Sequence, residues 1–218
     1  MIVKHGFYLS SDVVSVARQL LGKYVVTETD GIVSEGMIVE TEAYRAPDDK
    51  ACHAYGNRYT DRTKTMFEEG GTAYIYTCYG IHPMFNVVTG AAGMAHAILI
   101  RAVSLSGPTE HYTNRRRISK FSPVLANGPG KLAVALGINK TMDGLKIYLD
   151  DSPLRIEDRS VVIDDGDIIS SCRVGMSIHT GPSAHRPWRF YIKNNPWVSK
   201  PLFPDYRALI PGSSDEIY

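Results

Sequence analysis

Ile38-Val39-Glu40-Thr41-Glu42-Ala43-Tyr44 is the stretch around which the rest of the chain is organised. Ile, Val, Thr and Tyr suit a pleated ribbon, so these residues read as a strand. Side chains alternate faces along a strand. Ile38, Glu40, Glu42 and Tyr44 therefore share one face, and Val39, Thr41 and Ala43 share the other. The second face is small and largely apolar, fit for a core. The first sets two carboxylates beside an aromatic ring. Carboxylates are mostly exposed in folded proteins, so the plain reading of that face is a half-exposed sheet with its charges in water. The neighbouring sequence argues for a site instead.

Upstream, Ser10-Ser11-Asp12 offers capping groups for a helix carrying Val13, Val14, Ala17, Leu20 and Leu21, closed by Gly22. Lys23 to Glu28 and Ile32 to Tyr44 read as paired strands around Asp30-Gly31, a strong hairpin signal. Downstream comes a polar loop, Arg45 to Lys64, holding Asp48, Asp49, Asp61, His53, Tyr55, Tyr59, Arg58 and Arg62. Loops this long inside a compact domain are functional or disordered, and the aromatic content argues against disorder.

Thr72 to Tyr79 is an aromatic-rich strand with Thr72, Tyr74, Tyr76 and Cys78 on one face. Met84 to Thr89 is the next strand, which places Tyr79 to Pro83 near a turn, either as an exposed wedge or as a tip folded back on the body. Ala95 to Val103 follows, with Ala95, Ala97, Leu99, Arg101 and Val103 on one face. Arg101 needs a partner there, because a buried unpaired charge is very costly; Glu40 or a phosphate would serve. Pro108 to Arg117 reads as a helix ending in Arg115-Arg116-Arg117, a run compact enough to touch a phosphate backbone. Asn127-Gly128-Pro129-Gly130-Lys131 leads into an apolar helix over Leu132 to Leu136, capped by Gly137, and lacks P-loop spacing. Leu145 to Ile192 alternates short strands and turns, among them Ile168 to Val174 and Arg189 to Ile192.

Composition bounds the class. The chain has 218 residues, 44% hydrophobic and 22% charged, which is ordinary soluble globular composition and fits a single domain over 1–218. Net charge is only +1, so any polyanion must be met by a local basic patch. Three scattered cysteines, Cys52, Cys78 and Cys172, form no CxxC pair. That disfavours a disulfide framework or structural zinc and favours a reducing compartment. No signal peptide or bilayer-length apolar run is present.

Together these pieces supply acids, aromatics, a lone strand arginine and a tyrosine at a turn. Aromatics stack on bases and basic residues hold phosphates. An enzyme that acts on a base in duplex DNA must take it out of the stack. It then needs flat walls, a plug for the vacated space and a general base for water. The motifs Ile38–Tyr44, Gly71–Gly80, Leu99-Ile100-Arg101-Ala102, Asn127–Leu132, Gly137–Lys140 and Asn195-Pro196-Trp197-Val198-Ser199 stand in one order. In that order they closely resemble the alkyladenine (3-methyladenine) DNA glycosylase family of mammalian type, in a bacterial member.

The resemblance implies a mixed α+β domain with a curved antiparallel sheet, a protruding β-hairpin and surrounding helices. It implies Glu42 as general base, with Arg101 and the Val174 backbone positioning water. Tyr44 would stack on one face of the flipped base, with His53 and Tyr76 on the other, and Asn86 and Leu99 would complete the pocket. Tyr79 would fill the gap in the minor groove with support from Ile81. Thr60, Arg62 and Lys131 match positions near the DNA backbone, although Asp61 and Thr63 depart from the family pattern beside Arg62. Glu40 has no role carried over by the resemblance; it pairs with a cation or works on Glu42 as a neighbouring like charge. The implied partner is double-stranded DNA containing damaged purines. No cofactor or metal is implied, and the expected setting is a monomer in the bacterial cytoplasm, active on the nucleoid.

Two rival readings use the same residues. A metal-dependent phosphodiesterase would gather Glu40, Glu42, Asp48 and His53 around a hard cation. A DNA-binding module without chemistry would use Arg115 to Arg117 and Tyr79.

Overall fold

The computed structural model describes residues 1–206. The stretch 207–218, included in the single-domain expectation, lies outside the described residues. The fold is mixed α/β, as expected. Among the described residues one antiparallel sheet of eight strands carries short helices on its flanks. The strands are β1 (Tyr24–Thr29), β2 (Ile32–Arg45), β3 (Ala73–Cys78), β4 (His82–Thr89), β5 (His96–Ser106), β6 (Leu154–Glu157), β7 (Ile168–Ser171) and β8 (Arg189–Ile192). The main path runs β3-β4-β5-β2-β1-β6, and β8 joins β2 while pairing with β7. The helices are α1 (His5–Tyr8), α2 (Val13–Gln19), α3 (Glu110–Arg116) and α4 (Pro129–Ala135).

Local signals account for much of this. Asp12 caps α2, its carboxylate accepting from the Val14 and Ser15 amides. Asp30 and Gly31 take φ values of 54° and 72° between Thr29 and Ile32, the left-handed pair that a tight hairpin turn requires. Pro129 opens α4, where its missing N–H costs nothing.

The 14-residue strand β2 changes partners along its length. Its first half is sandwiched between β1 and β5; at Glu40 to Glu42, β8 replaces β1. The register with β5 slips at Glu40, which lies opposite Ala102 rather than Arg101, and resumes with Thr41 opposite Ile100. Ile38, like Val39, is buried in the main core. The half-exposed reading of the carboxylate face is overturned. Glu40 and Glu42 are both 0% exposed, because strands flank them on either side and the 170s and 190s fold over them.

Strands β3, β4 and the first half of β5 keep their alternation. Ala73, Ile75, Phe85, Val87, Ile98 and Ile100 enter the main core. Their neighbours Tyr74, Val88 and Ala97 face the other way, into a smaller cluster roofed by Ala46, Cys52 and Ala54 from the polar loop and by Met66 just after it. The β3–β4 hairpin turns through Tyr79, Gly80 and Ile81, and β4 already begins at His82. Tyr79 has φ 51° and is 91% exposed, and Ile81 is 72% exposed, so the tip stands out as a wedge and does not fold back.

Candidate active site

A cavity of about 230 Å³ opens on the second face of β3, β4 and β5. It exceeds the roughly 150 Å³ cavity that admits a benzene ring, so a bicyclic base is within its reach. Tyr44, His53, Tyr74, Tyr76, Asn86, Leu99, Arg101 and Val174 all line it. The structure thus brings together every expected base-binding residue: alternation on β3, β4 and β5 presents Tyr76, Asn86 and Leu99, while Tyr44 comes from β2 and His53 from the polar loop.

Glu42 does not itself line the cavity. It lies directly behind the wall, one hydrogen bond from three wall groups. Its Oε1 accepts from the Val174 amide at 2.7 Å. Its Oε2 accepts from the Tyr44 hydroxyl at 2.7 Å and from Arg101 Nη1 at 3.2 Å. Arg101 and Val174, expected to hold a water, here hold the carboxylate directly.

Glu40 has a role that the sequence left open. Its Oε1 accepts from Arg101 Nε, Arg189 Nε and the Ser199 hydroxyl, each at 2.8 Å, and its Oε2 accepts from the Ser199 amide at 2.7 Å. Two acids thus meet two guanidiniums in one buried, neutral cluster. Unit charges about 4 Å apart attract by roughly 4 kcal/mol at an effective dielectric near 20. Removing each ion from water costs several kcal/mol, so attraction alone does little better than break even. The amide and hydroxyl bonds from Ser199 and Val174 tip the balance. Arg189 sits in an aromatic strand as Arg101 sits in an aliphatic one, and the same rule about lone buried charges applies to both.

A second buried pair pins the polar loop. Arg173 donates to Asp49 at 2.6 and 2.8 Å and to the Ala43 and Ser183 carbonyls, each at 2.8 Å. Its guanidinium lies 4.6 Å from the Tyr44 ring centroid. Neither residue drew notice in the sequence: Asp49 looks like any loop acid, and its burial appears only once the loop is closed.

The opposite wall is polarised by Arg62. An arginine only donates, so the 2.9 Å contact from Arg62 makes His53 Nε2 an acceptor and puts the ring proton on Nδ1, 3.0 Å from the Tyr74 hydroxyl. Burial, and then the Arg62 charge, lower the His53 pKa to about 4. Burial raises that of Tyr76 to about 12. Arg62 also lies over the Tyr76 ring, 5.1 Å from its centroid. Asn86 donates to the Tyr74 and Met84 carbonyls at 3.1 and 3.2 Å, which fixes its amide in the wall. Thr60 is tied to Thr63, and Lys131 donates to Asn127 at 2.8 Å.

The other expected clusters do not form. Asp48 pairs with Arg45 and Arg186, away from Glu40 and Glu42, so the four residues of the phosphodiesterase reading fail to converge. Arg115 turns inward to Ser34 and the Ala135 carbonyl. Ser34 lies eight positions before Glu42 on β2, roughly 25 Å away at strand rise, so the arginine run is remote from the cavity. Among the described residues no helix is long and apolar enough to cross a membrane.

Comparison with known proteins agrees with this geometry. A family model described as Methylpurine-DNA glycosylase (MPG) matches residues 7–196. A Chlamydia pneumoniae protein named "Putative 3-methyladenine DNA glycosylase" is 42% identical over 193 residues, covering 88% of this chain and 95% of its own. Proteins of the same name from Clostridium botulinum (strain Alaska E43 / Type E3) and Bacillus cereus (strain G9842) are each 40% identical. The alignments cover 92% and 89% of this chain and 100% and 97% of theirs. With a buried acid behind an aromatic pocket and a match over most of its length, the chain belongs to the methylpurine-DNA glycosylase family.

Proposed function

We propose that this protein takes alkylated or deaminated purines out of duplex DNA and hydrolyses their N-glycosidic bond, leaving an abasic site. One observation carries the reading: the fully buried Glu42 is bonded to Tyr44, Arg101 and Val174, three groups that wall a cavity large enough for a purine.

The chemistry follows from the parts. Alkylation at N3 or N7 makes a purine cationic and a better leaving group. Electron-rich rings attract such a base by cation–π interaction, and Tyr44, Tyr76 and a neutral His53 supply them. Glu42 takes a proton from water as its oxygen attacks the sugar carbon, and its charge stabilises the oxocarbenium-like centre. The bonding pair leaves with the base. Tyr79 and Ile81 enter the minor groove and fill the gap in the stack. Arg62, exposed beside His53 and Tyr76, turns to the adjacent phosphate. One cavity serves one lesion, so a monomer suffices.

The deciding experiment incubates the protein with methylated DNA in EDTA and separates the released bases chromatographically. Free alkylpurine with an intact strand, cleaved only on later alkali treatment, is the expected result. Glu42→Gln should bind lesion DNA and lose all but residual base release. Strand scission without base release, or full turnover by Glu42→Gln, would overturn the reading.

A further inference from the structure

Three donors meet the two oxygens of Glu42, and they are unequally shared. Oε2 receives the Tyr44 hydroxyl and Arg101 Nη1, whereas Oε1 receives only the Val174 amide. An ionised carboxylate has about four acceptor positions, two on each oxygen. Oε2 is therefore filled, and one position stays open on Oε1.

We propose that the Tyr44 hydroxyl is a positioning group for the reaction: with Arg101 it saturates Oε2 and leaves Oε1 as the oxygen that takes the proton of the attacking water. The inference rests on the glycosylase reading and goes beyond the use of Tyr44 as a flat wall. In the step it implies, the C1′–O bond forms as the C1′–N bond breaks. The bonding electrons depart with the purine: a cationic alkylpurine leaves neutral, and a neutral one such as hypoxanthine or ethenoadenine takes up a proton from solvent as it leaves. The water proton passes to Oε1 and from there to solvent.

Two further features support it. The hydroxyl is a constant donor: burial, and then the charge of Glu42, hold the Tyr44 pKa well above the usual tyrosine value. The ring is also fixed from behind. Arg173 lies over it at 4.6 Å and is 2% exposed, locked by Asp49 and two backbone carbonyls, and it takes no part in lining the cavity. A base stacked on the open face of Tyr44 thus presses on a ring whose tip touches the acid. Lesion seating and carboxylate orientation become one mechanical event.

Tyr44→Phe tests this, because it keeps the ring and removes only the hydroxyl. Affinity for a duplex carrying a single ethenoadenine or hypoxanthine should stay within about twofold. Single-turnover base release should fall about tenfold or more, the scale of one hydrogen bond to a charged group. Unchanged release would overturn the proposal, as would binding and release that fall together. The change is repeated on Glu42→Gln, with residual release followed over long incubations. There Tyr44→Phe should have no further effect, whereas a general loosening of the fold would slow both backgrounds alike and overturn the idea. Failure of the wild-type protein to release any base would instead count against the glycosylase reading itself.

Discussion

Arg101 donates through Nε to Glu40 Oε1 at 2.8 Å, and the other arm of the same guanidinium reaches Glu42. Glu40 is thus the anchor that aims Arg101 at the acid behind the pocket. The same carboxylate ties β8, through Arg189, and the segment around Ser199 to the middle of β2. Its 0% exposure means that water cannot stand in for it.

Glu40→Ala should therefore be costly. It leaves two buried guanidiniums with one acid fewer, and breaking a buried pair from one side costs about 3–5 kcal/mol. Urea unfolding with a common slope measures the loss. A change under about 1 kcal/mol would mean that the cluster is far more hydrated than its burial implies.

His53 should stay neutral through the physiological range. Its folded pKa, lowered to about 4, lies below the ordinary value of 6.5. The unfolded chain therefore binds more protons between those limits, and His53 makes the fold progressively less stable as pH falls through that window. The ring is itself partly open to solvent, so only part of the nominal effect will be felt. NMR titration of the His53 ring should give a midpoint well below 6.5. Arg62→Ala should raise it partway, since burial is the larger cause and the Arg62 charge the smaller. A midpoint unaffected by Arg62→Ala would remove the Arg62–His53 contact from the solution structure.

Tyr79→Ala separates recognition from folding. The side chain is 91% exposed, so its loss should change stability by less than about 0.5 kcal/mol. Stacking on a base is worth about 1–3 kcal/mol, which predicts roughly tenfold weaker capture of a lesion duplex by titration. Equal affinities for variant and wild type would show that the hairpin tip stays outside the helix.

Much of the fold is legible in short stretches. The Asp30-Gly31 turn, the Asp12 cap and the two-faced strands follow from steric rules that act over two to four residues. The aromatic wall is legible for the same reason: Tyr74 and Tyr76 share parity, and so do Leu99 and Arg101. The expected partnership of Arg101 and Glu40 also stands, because a lone arginine in an apolar strand narrows the choice of partner. The slip of β2 against β5 at Glu40 is not legible, since a register irregularity belongs to the pairing of two strands and to neither alone. The direction of Arg115 is not legible, because local charge says nothing about where a side chain points, and Arg115 turns inward to Ser34.

The amino-acid sequence by itself determined where strands, turns and caps form and which side chains share a face, because those depend on backbone sterics and a period of two. Only tertiary structure decided that Glu40 meets Arg101 across 61 positions and Arg189 across 149, that Asp49 pins the loop to Arg173, and that Glu42 bonds the Tyr44 hydroxyl at the pocket wall. Charge pairing and desolvation act through space, over a few ångströms, and spacing along a chain carries no record of which distant groups folding will bring that close.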